Sequence, residues 1–372
     1  MIEIAELETP ALLVDLDRMK RNLDKGAEYS RQHGIGLRPH IKTHKSPLLA
    51  REQLLRGATG LTCATPFEAE VMSGCTQDIL VMYPPVGVHR ARRLAKVARA
   101  AKLTIALDSE RAAQDLSQAA VEAEADVRVL IELDAGMHRV GLPSLADAVS
   151  LARTAASLPR LEVVGFAFYP GHIREHVNEH GPRLKELSAF VTGARKALAQ
   201  AGVDVRVVSA GSTPTMWHTH DIEGVTEMRP GTYIFNDRTT AEIGACTYDE
   251  CALTVLATVV STAVPGQAVV DAGTKALGRE PMRGGPGDGF GVLANDTSVT
   301  VKSMSEEHGI LDLSKSAWKP RVGERVRIVP NHVCIVVHLA DLVYGVRDDA
   351  VVSSWPVAAR GRGQPELANL GR

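Results

Sequence analysis

Apolar, β-rich runs recur along the first two thirds of the chain, at about 37–42, 60–64, 79–83, 103–107, 128–133, 162–168, 205–209 and 225–234. Stretches rich in Ala, Leu, Arg and Glu lie between them with helical period, as at 89–101, 110–124, 144–156 and 182–201. An earlier short run, 11–15, follows Thr9-Pro10 and leads into an amphipathic helix through about residue 33. Strands alternating with helices of this length predict a parallel sheet. Eight such units in about 200 residues favour a (β/α)8 TIM-type barrel over an open sheet.

The pattern changes near residue 237. From 251 onward the runs are strand-like, at 252–260, 267–271, 298–302, 324–329 and 342–352, separated by Gly/Pro/Asp turns that include the glycine-rich 284–291. Arg347-Asp348-Asp349 reads as a hairpin turn between 342–346 and 350–352. The division expected is an α/β barrel over 11–236 and a C-terminal antiparallel β domain over 237–372, joined by residues 1–10. The composition beyond about 358 predicts little order. No repeat with a period of 20–50 residues is present.

Composition adds mainly exclusions. Of the 372 residues, 45% are hydrophobic and 23% charged, the profile of an ordinary globular chain. A formal net charge of -2 offers nothing to a polyanion, and 4% aromatics make a base-stacking surface unlikely. The acidic start, Met1-Ile2-Glu3-Ile4-Ala5-Glu6, lacks the basic and apolar regions of a signal peptide, so a cytoplasmic protein is expected. The five cysteines (Cys63, Cys75, Cys246, Cys251, Cys334) are scattered without a CxxC pair, which argues against a disulfide framework or a zinc ribbon.

The densest chemistry is Arg38-Pro39-His40-Ile41-Lys42-Thr43-His44-Lys45, at the end of the first barrel strand. Alone, such a basic run is ordinarily a solvated face. The C-terminal ends of barrel strands, however, are where this architecture keeps its active sites. Lys42 is therefore the candidate to carry pyridoxal phosphate (PLP) covalently. A phosphate cradle is available after the seventh strand, in Gly211-Ser212-Thr213-Pro214-Thr215, and after the eighth, in Gly231-Thr232-Tyr233. Glycines and small hydroxyl residues let backbone N–H groups approach a phosphate. Arg139, in the loop after strand five, is placed to reach the cofactor's phenolate oxygen. Tyr169, after strand six, is placed to touch the pyridine nitrogen or the substrate, and His172 is a candidate acid/base group. In the β domain, His332 and Cys334 are two apart in Pro330-Asn331-His332-Val333-Cys334. On a strand that spacing puts both side chains on one face, where an imidazole and a thiolate can hold zinc with an open shell. Each of these motifs alone is more often a turn or a buried structural pair. Glu306-Glu307-His308-Gly309 and Asp271-Ala272-Gly273-Thr274-Lys275 are candidates for further site loops and also read as turns.

Together, in this order and spacing, the motifs resemble the fold-type III PLP enzymes of the D-serine dehydratase and D-threonine aldolase group. The resemblance runs from Thr9-Pro10-Ala11 and Asp15-Leu16-Asp17, through the Lys42 octamer and Gly211-Ser212-Thr213-Pro214-Thr215, to Pro330-Asn331-His332-Val333-Cys334. It implies an alanine-racemase-like barrel with a β domain and PLP on Lys42. It further implies a divalent metal, zinc or manganese, on His332 and Cys334, D-configured 3-hydroxy amino acids as substrates, and a homodimer. Cys334 and the Gly-Ser-Thr-Pro-Thr turn are similar to the dehydratases; Asp at the metal position and a Gly-Gly-Thr-Gly turn would be similar to the aldolases. Retro-aldol cleavage to glycine and an aldehyde is the alternative. Two further rivals stay open: a racemase using Tyr248 or Tyr344 as second base, and a metallohydrolase without PLP using His40, His44 and His332. A cofactor carrier without turnover leaves the metal pair unexplained.

Overall fold

In a computed structural model, residues 2–284 and 287–363 are described. Part of the glycine-rich loop and the tail beyond 363 lie outside the described residues. Eight parallel strands run in the order Gly36–Leu37, Glu227–Met228, Val207–Ala210, Leu161–Phe168, Val127–Leu133, Lys102–Leu107, Asp78–Val81, Leu61–Cys63. A parallel bridge between His40 and Thr62 joins the two ends and closes the barrel. The helices alternate with these strands as predicted, for example Val88–Ala98, Glu110–Glu122, Leu145–Ser157 and Gly181–Gln200.

The barrel interior is layered by strand alternation. At its base Arg38 Nε donates to Glu227 at 2.8 Å and Arg38 Nη1 to Asp78 at 2.7 Å, while Arg128 Nη2 reaches Asp78 at 2.9 Å. Above lie Leu80, Ala106, Leu130, Val164 and Ala167. Arg128, Leu130 and Glu132 share one strand face, so Glu132 tops this column at the C-terminal end. A charged network paired within itself at the base and an apolar middle seal the barrel below, and Glu132 stands at the upper mouth.

The first and last barrel strands are shorter than the apolar runs suggest. Pro39 offers no N–H to a ladder, and the chain turns into a single 3-10 turn, Ile41–Thr43. Pro230-Gly231 likewise ends the eighth strand, and a second 3-10 turn, Thr232–Ile234, follows. These two breaks lift Lys42 and Thr232 off the barrel wall and over its mouth.

The second sheet is antiparallel, with six strands closing on themselves: Leu253–Ser261, Gln267–Val270, Gly309–Asp312, Thr300–Met304, Gly291–Leu293 and Arg325–Pro330, which returns to Leu253–Ser261. The hairpin Leu342–Arg347 and Ala350–Pro356 turns at Asp348, which takes a positive φ of 54°.

The run at 11–15 differs from expectation. Ala11–Asp15 does not join the barrel; it pairs antiparallel with Leu253–Ser261 and parallel with Leu342–Arg347. Leu12 and Val14 enter one apolar cluster and Ala11 and Leu13 another, so both faces are buried. Periodicity marks such a strand but not its sheet. The helix after it, Leu16–His33, is capped by Asp15, whose side chain accepts from Asp17 and Arg18 N–H, and ends at Gly34 with φ 64°. It packs on the first barrel strand and on Thr232–Ile234, tying the two domains together. No described helix is long and apolar enough to cross a membrane.

Candidate active site

A cavity of about 550 Å³ opens at the C-terminal ends of the barrel strands, where the β domain leans over them. Lys42, Arg139, Tyr169, Gly211, Ser212 and Thr213 all reach its wall. So do Gly231, Thr232, His332 and Cys334. Residues separated by almost three hundred positions thus converge on one space.

Lys42 Nζ lies 6.0 Å from the centroid of the Tyr169 ring, and the Arg139 guanidinium lies 5.1 Å from it. The π-face of Tyr169 is therefore shared by two cations. The turn after strand seven is tightly held. Gly211 takes φ 91°, a conformation that costs any side chain. Ser212 Oγ and Thr215 Oγ1 are 3.1 Å apart, and Thr213 Oγ1 accepts the Tyr233 N–H at 3.2 Å. A Cβ on Gly231 would stand 2.7 Å from Thr43 Oγ1 and 3.0 Å from the His40 carbonyl oxygen. Only glycine lets this turn press against the Lys42 segment.

His332 and Cys334 meet, but not by the strand alternation that suggested them. The strand ends at Pro330; His332 caps the helix Val333–Leu339 and Cys334 lies in its first turn. The fully buried Asp237 accepts from His332 Nδ1 at 3.0 Å and from the Val333 N–H at 3.2 Å. Thr43 Oγ1 lies 3.2 Å from Cys334 Sγ. Burial pushes the Cys334 thiol up, but the His332 charge and hydrogen bond, Lys42 and Thr43 outweigh it and bring the pKa to about 7. Burial pulls His332 down, and the Cys334 charge with the Asp237 contacts drives it well above its ordinary value. Among the described residues no group of three or more His, Cys, Asp or Glu side chains is arranged around a metal. The donor set is thus a two-ligand pair backed by a carboxylate, the composition of an open shell.

Two candidates stand elsewhere. Tyr233 is buried away from the cavity wall, its hydroxyl accepting from Gln53 Nε2 at 3.1 Å. The phenol lies behind the cradle, and only its backbone touches Thr213. His172 is also absent from the wall; its ring lies beside Gly136, where a Cβ would stand 3.1 Å from it. Burial, then Arg183, lowers its pKa.

The rival assignments find little support. His44 is turned into the core, with Nε2 3.1 Å from Gln53 Oε1, and burial lowers its pKa to about 4. It does not share the cavity with His40 and His332. Tyr248 bonds Glu242 at 2.5 Å, Tyr344 packs in the small cluster beside Ala11 and Leu13, and neither lines the cavity. Asp271 accepts from the Thr258 N–H at 2.7 Å, and Glu307 pairs with Lys275 on the surface; neither lines the cavity.

Sequence reasoning overlooked three residues. Asp237 carries the N-cap of the helix Arg238–Glu242 and also orients His332; only the cap is visible locally. Arg229 is buried at the top of the barrel, its Nη2 donating to the Phe168 carbonyl at 2.6 Å. Its Nε has no hydrogen-bond partner among the described residues. Glu132 faces the same space with an unpartnered Oε2, and burial raises its pKa against the pull of Arg229. Unpartnered polar atoms at the floor of a cavity are the mark of a site that completes them with a ligand. A glycine-bearing turn, a lysine on the same cavity wall and a buried guanidinium with one free N–H fit an anionic, ring-bearing cofactor.

The fold defines a class: a barrel-and-β-domain protein of alanine-racemase-like architecture. Residues 14–239 match the alanine racemase N-terminal domain, and residues 252–346 match a serine dehydratase domain. D-threonine aldolase of Arthrobacter sp. is 31% identical over 96% of this chain and 94% of its own. D-threo-3-hydroxyaspartate dehydratase of Delftia sp. (strain HT23) is 33% identical over 94% of this chain and 97% of its own. The crystal structure of D-threonine aldolase from Filomicrobium marinum superposes with a TM-score of 0.89 at 32% identity, covering 96% of this chain and 97% of that one. The chain belongs to the D-serine dehydratase and D-threonine aldolase family of lyases.

Proposed function

We propose that the protein is a PLP- and divalent-metal-dependent lyase for D-configured 3-hydroxy amino acids, and that its reaction is dehydration to a keto acid and ammonia. The observation that carries this reading is the convergence of Lys42 with the His332–Cys334 pair in one cavity. Lys42 would carry the cofactor covalently. Gly211, Ser212, Thr213, Gly231 and Thr232 would hold its phosphate through N–H and hydroxyl groups, while Tyr169, Arg139 and Arg229 would bound its ring. His332 and Cys334 would hold zinc or manganese. When bound, PLP supplies an electron sink for the substrate's Cα, and the metal a Lewis acid at the 3-hydroxyl.

The chain's own residues do the rest. Lys42 Nζ would be the group that takes the Cα proton of a bound substrate. Arg139 supplies a fixed positive charge beside it for a substrate carboxylate. Asp237 holds the His332 ring in one tautomer, with Nδ1–H directed at the carboxylate, which would leave the other nitrogen for a metal. Thr43 does the same for Cys334 and sits next to Lys42 in sequence, coupling the two halves of the site. The β domain covers the barrel mouth and limits the water within. A thiolate in place of a carboxylate favours dehydration over retro-aldol cleavage in this reading, and the active form is a homodimer.

The test is to incubate purified protein, PLP and added zinc or manganese with D-serine, D-threonine and D-3-hydroxyaspartate, and to identify products by mass. Keto acid plus ammonia is expected. Glycine plus an aldehyde would overturn the choice of reaction, and conversion to the L-enantiomer would overturn the lyase reading altogether.

A further inference from the structure

The proposed function leaves open what the substrate carries on its third carbon beyond the hydroxyl. The cavity wall bears on this, because its arginines are unequally occupied. Arg229 sits at the floor beside Glu132. Arg283 is paired with Glu280. Arg139 is spread over the Tyr169 ring.

Arg362 reaches the wall as an exposed side chain with no partner among the described residues; Arg174 differs from it in being anchored. It follows the sixth barrel strand and lines the cavity. Its Nε donates to the Gly171 carbonyl at 2.8 Å, which fixes the plane of the guanidinium. Its Nη atoms have no hydrogen-bond or ion-pair partner among the described residues. The nearest acid in sequence, Glu175, is engaged elsewhere: it accepts from the Arg174 backbone N–H at 2.8 Å and faces Arg183. The backbone of Arg174 is also held from the other side. Gly284 of the β domain packs so closely on its carbonyl that a Cβ there would overlap it. A guanidinium held at Nε, with two free Nη groups over a cavity, presents the fork that matches a carboxylate. It follows strand six and so enters the cavity on a different loop from the cradle of strands seven and eight and from Lys42 after strand one.

We infer that Arg174 reads a second carboxylate on the substrate, and that the enzyme takes 3-hydroxy amino acids with an acidic side arm in preference to those ending in hydrogen or methyl. This rests on the proposed lyase reading and narrows it. Arg174 is a specificity residue, not a member of the group that handles the Cα proton.

The test compares an acid with its isosteric amide. D-Aspartate and D-asparagine lack the 3-hydroxyl and differ in one charge. Their dissociation constants for the PLP-loaded enzyme are measured by calorimetry. Losing one charge-assisted, forked interaction corresponds to about 10- to 100-fold in binding. Wild type is expected to favour D-aspartate by that factor, and Arg174→Gln to bring the ratio below about threefold. Arg174→Lys, which keeps charge without the fork, is expected to fall between. In parallel, kcat/KM for D-3-hydroxyaspartate relative to D-serine should fall in Arg174→Gln by a similar factor. Equal binding of the two ligands by wild type, or an unchanged ratio in the variant, would overturn the inference. A wild-type enzyme that turns over none of the hydroxy amino acids would instead overturn the lyase reading beneath it, a separate outcome.

Discussion

Replacing Asp237 with Asn separates the metal site from the fold in a measurable way. Asp237 is completely buried and divides its carboxylate between two tasks. Oδ1 accepts from Thr240 N–H and Oγ1, each at 2.9 Å, which caps a helix. Oδ2 accepts from His332 Nδ1 at 3.0 Å and Val333 N–H at 3.2 Å. Asparagine has the same shape and keeps the first task with its oxygen. Its NH₂ would then face two donors. One buried N–H left unsatisfied costs about 1–3 kcal/mol of stability. For the metal, loss of the carboxylate behind a ligating imidazole weakens affinity about 10- to 100-fold, or ~1.4–2.8 kcal/mol. Zinc affinity is read by competition with a chromophoric chelator, and stability of the metal-free protein by thermal unfolding. Thr240→Val is the control: it weakens the cap without touching His332 and should lower stability while leaving zinc affinity within about twofold. A folded Asp237→Asn protein that binds zinc as tightly as wild type would refute the assignment of Asp237 as the carboxylate behind a metal ligand.

Other substitutions test neighbouring parts. Gly231→Ala forces a Cβ to 2.7 Å from Thr43 Oγ1; it should weaken PLP retention by at least about tenfold on dialysis, a loss of ~1.4 kcal/mol, and native retention would contradict the cradle. Lys45 pairs with the fully buried Glu68, so Lys45→Met leaves an uncompensated buried charge and should cost about 3–5 kcal/mol in urea unfolding, whereas a change under about 1 kcal/mol would contradict the burial argument. Burial raises the Glu132 pKa above its unfolded value, so its contribution to stability is fully present below the ordinary carboxylate range and is lost as pH rises through the folded value. Glu132→Gln removes that loss: its melting temperature relative to wild type should rise with pH across the acid range and level off above it, and a parallel pair of curves would contradict the assignment.

Much of the barrel was legible because its strands are buried on both faces and its helices keep a 3.6-residue stripe. The strand at 11–15 was legible as a strand and not as a member of the other sheet, since its partners, Leu253–Ser261 and Leu342–Arg347, lie far away in sequence. The short strands Gly291–Leu293 and Gly309–Asp312 carry too few residues for any period. At the site, Lys42, the Gly211 turn and the His332–Cys334 pair announce themselves through residue types rare in combination. The reason given for the pair, alternation on a strand, was not the one the fold uses: the helix cap at His332 brings the two together. Asp237 and Arg229 were hidden because each also has an ordinary structural role. Asp237 looks like a helix cap and Arg229 like the end of a strand; burial beside a cavity, which no local pattern reports, gives each a second role. Tyr233 and His172 are the two predicted residues that do not line the cavity.

The central claim is that Lys42 carries the cofactor within reach of His332 and Cys334. The most direct measurement is to add PLP to the purified protein, reduce with borohydride, digest, and locate the pyridoxyl group by tandem mass spectrometry. The account predicts one labelled site, Lys42, lost together with the protein's visible absorbance in Lys42→Ala. A label on Lys45 or on a surface lysine, with Lys42 unmodified, would contradict it.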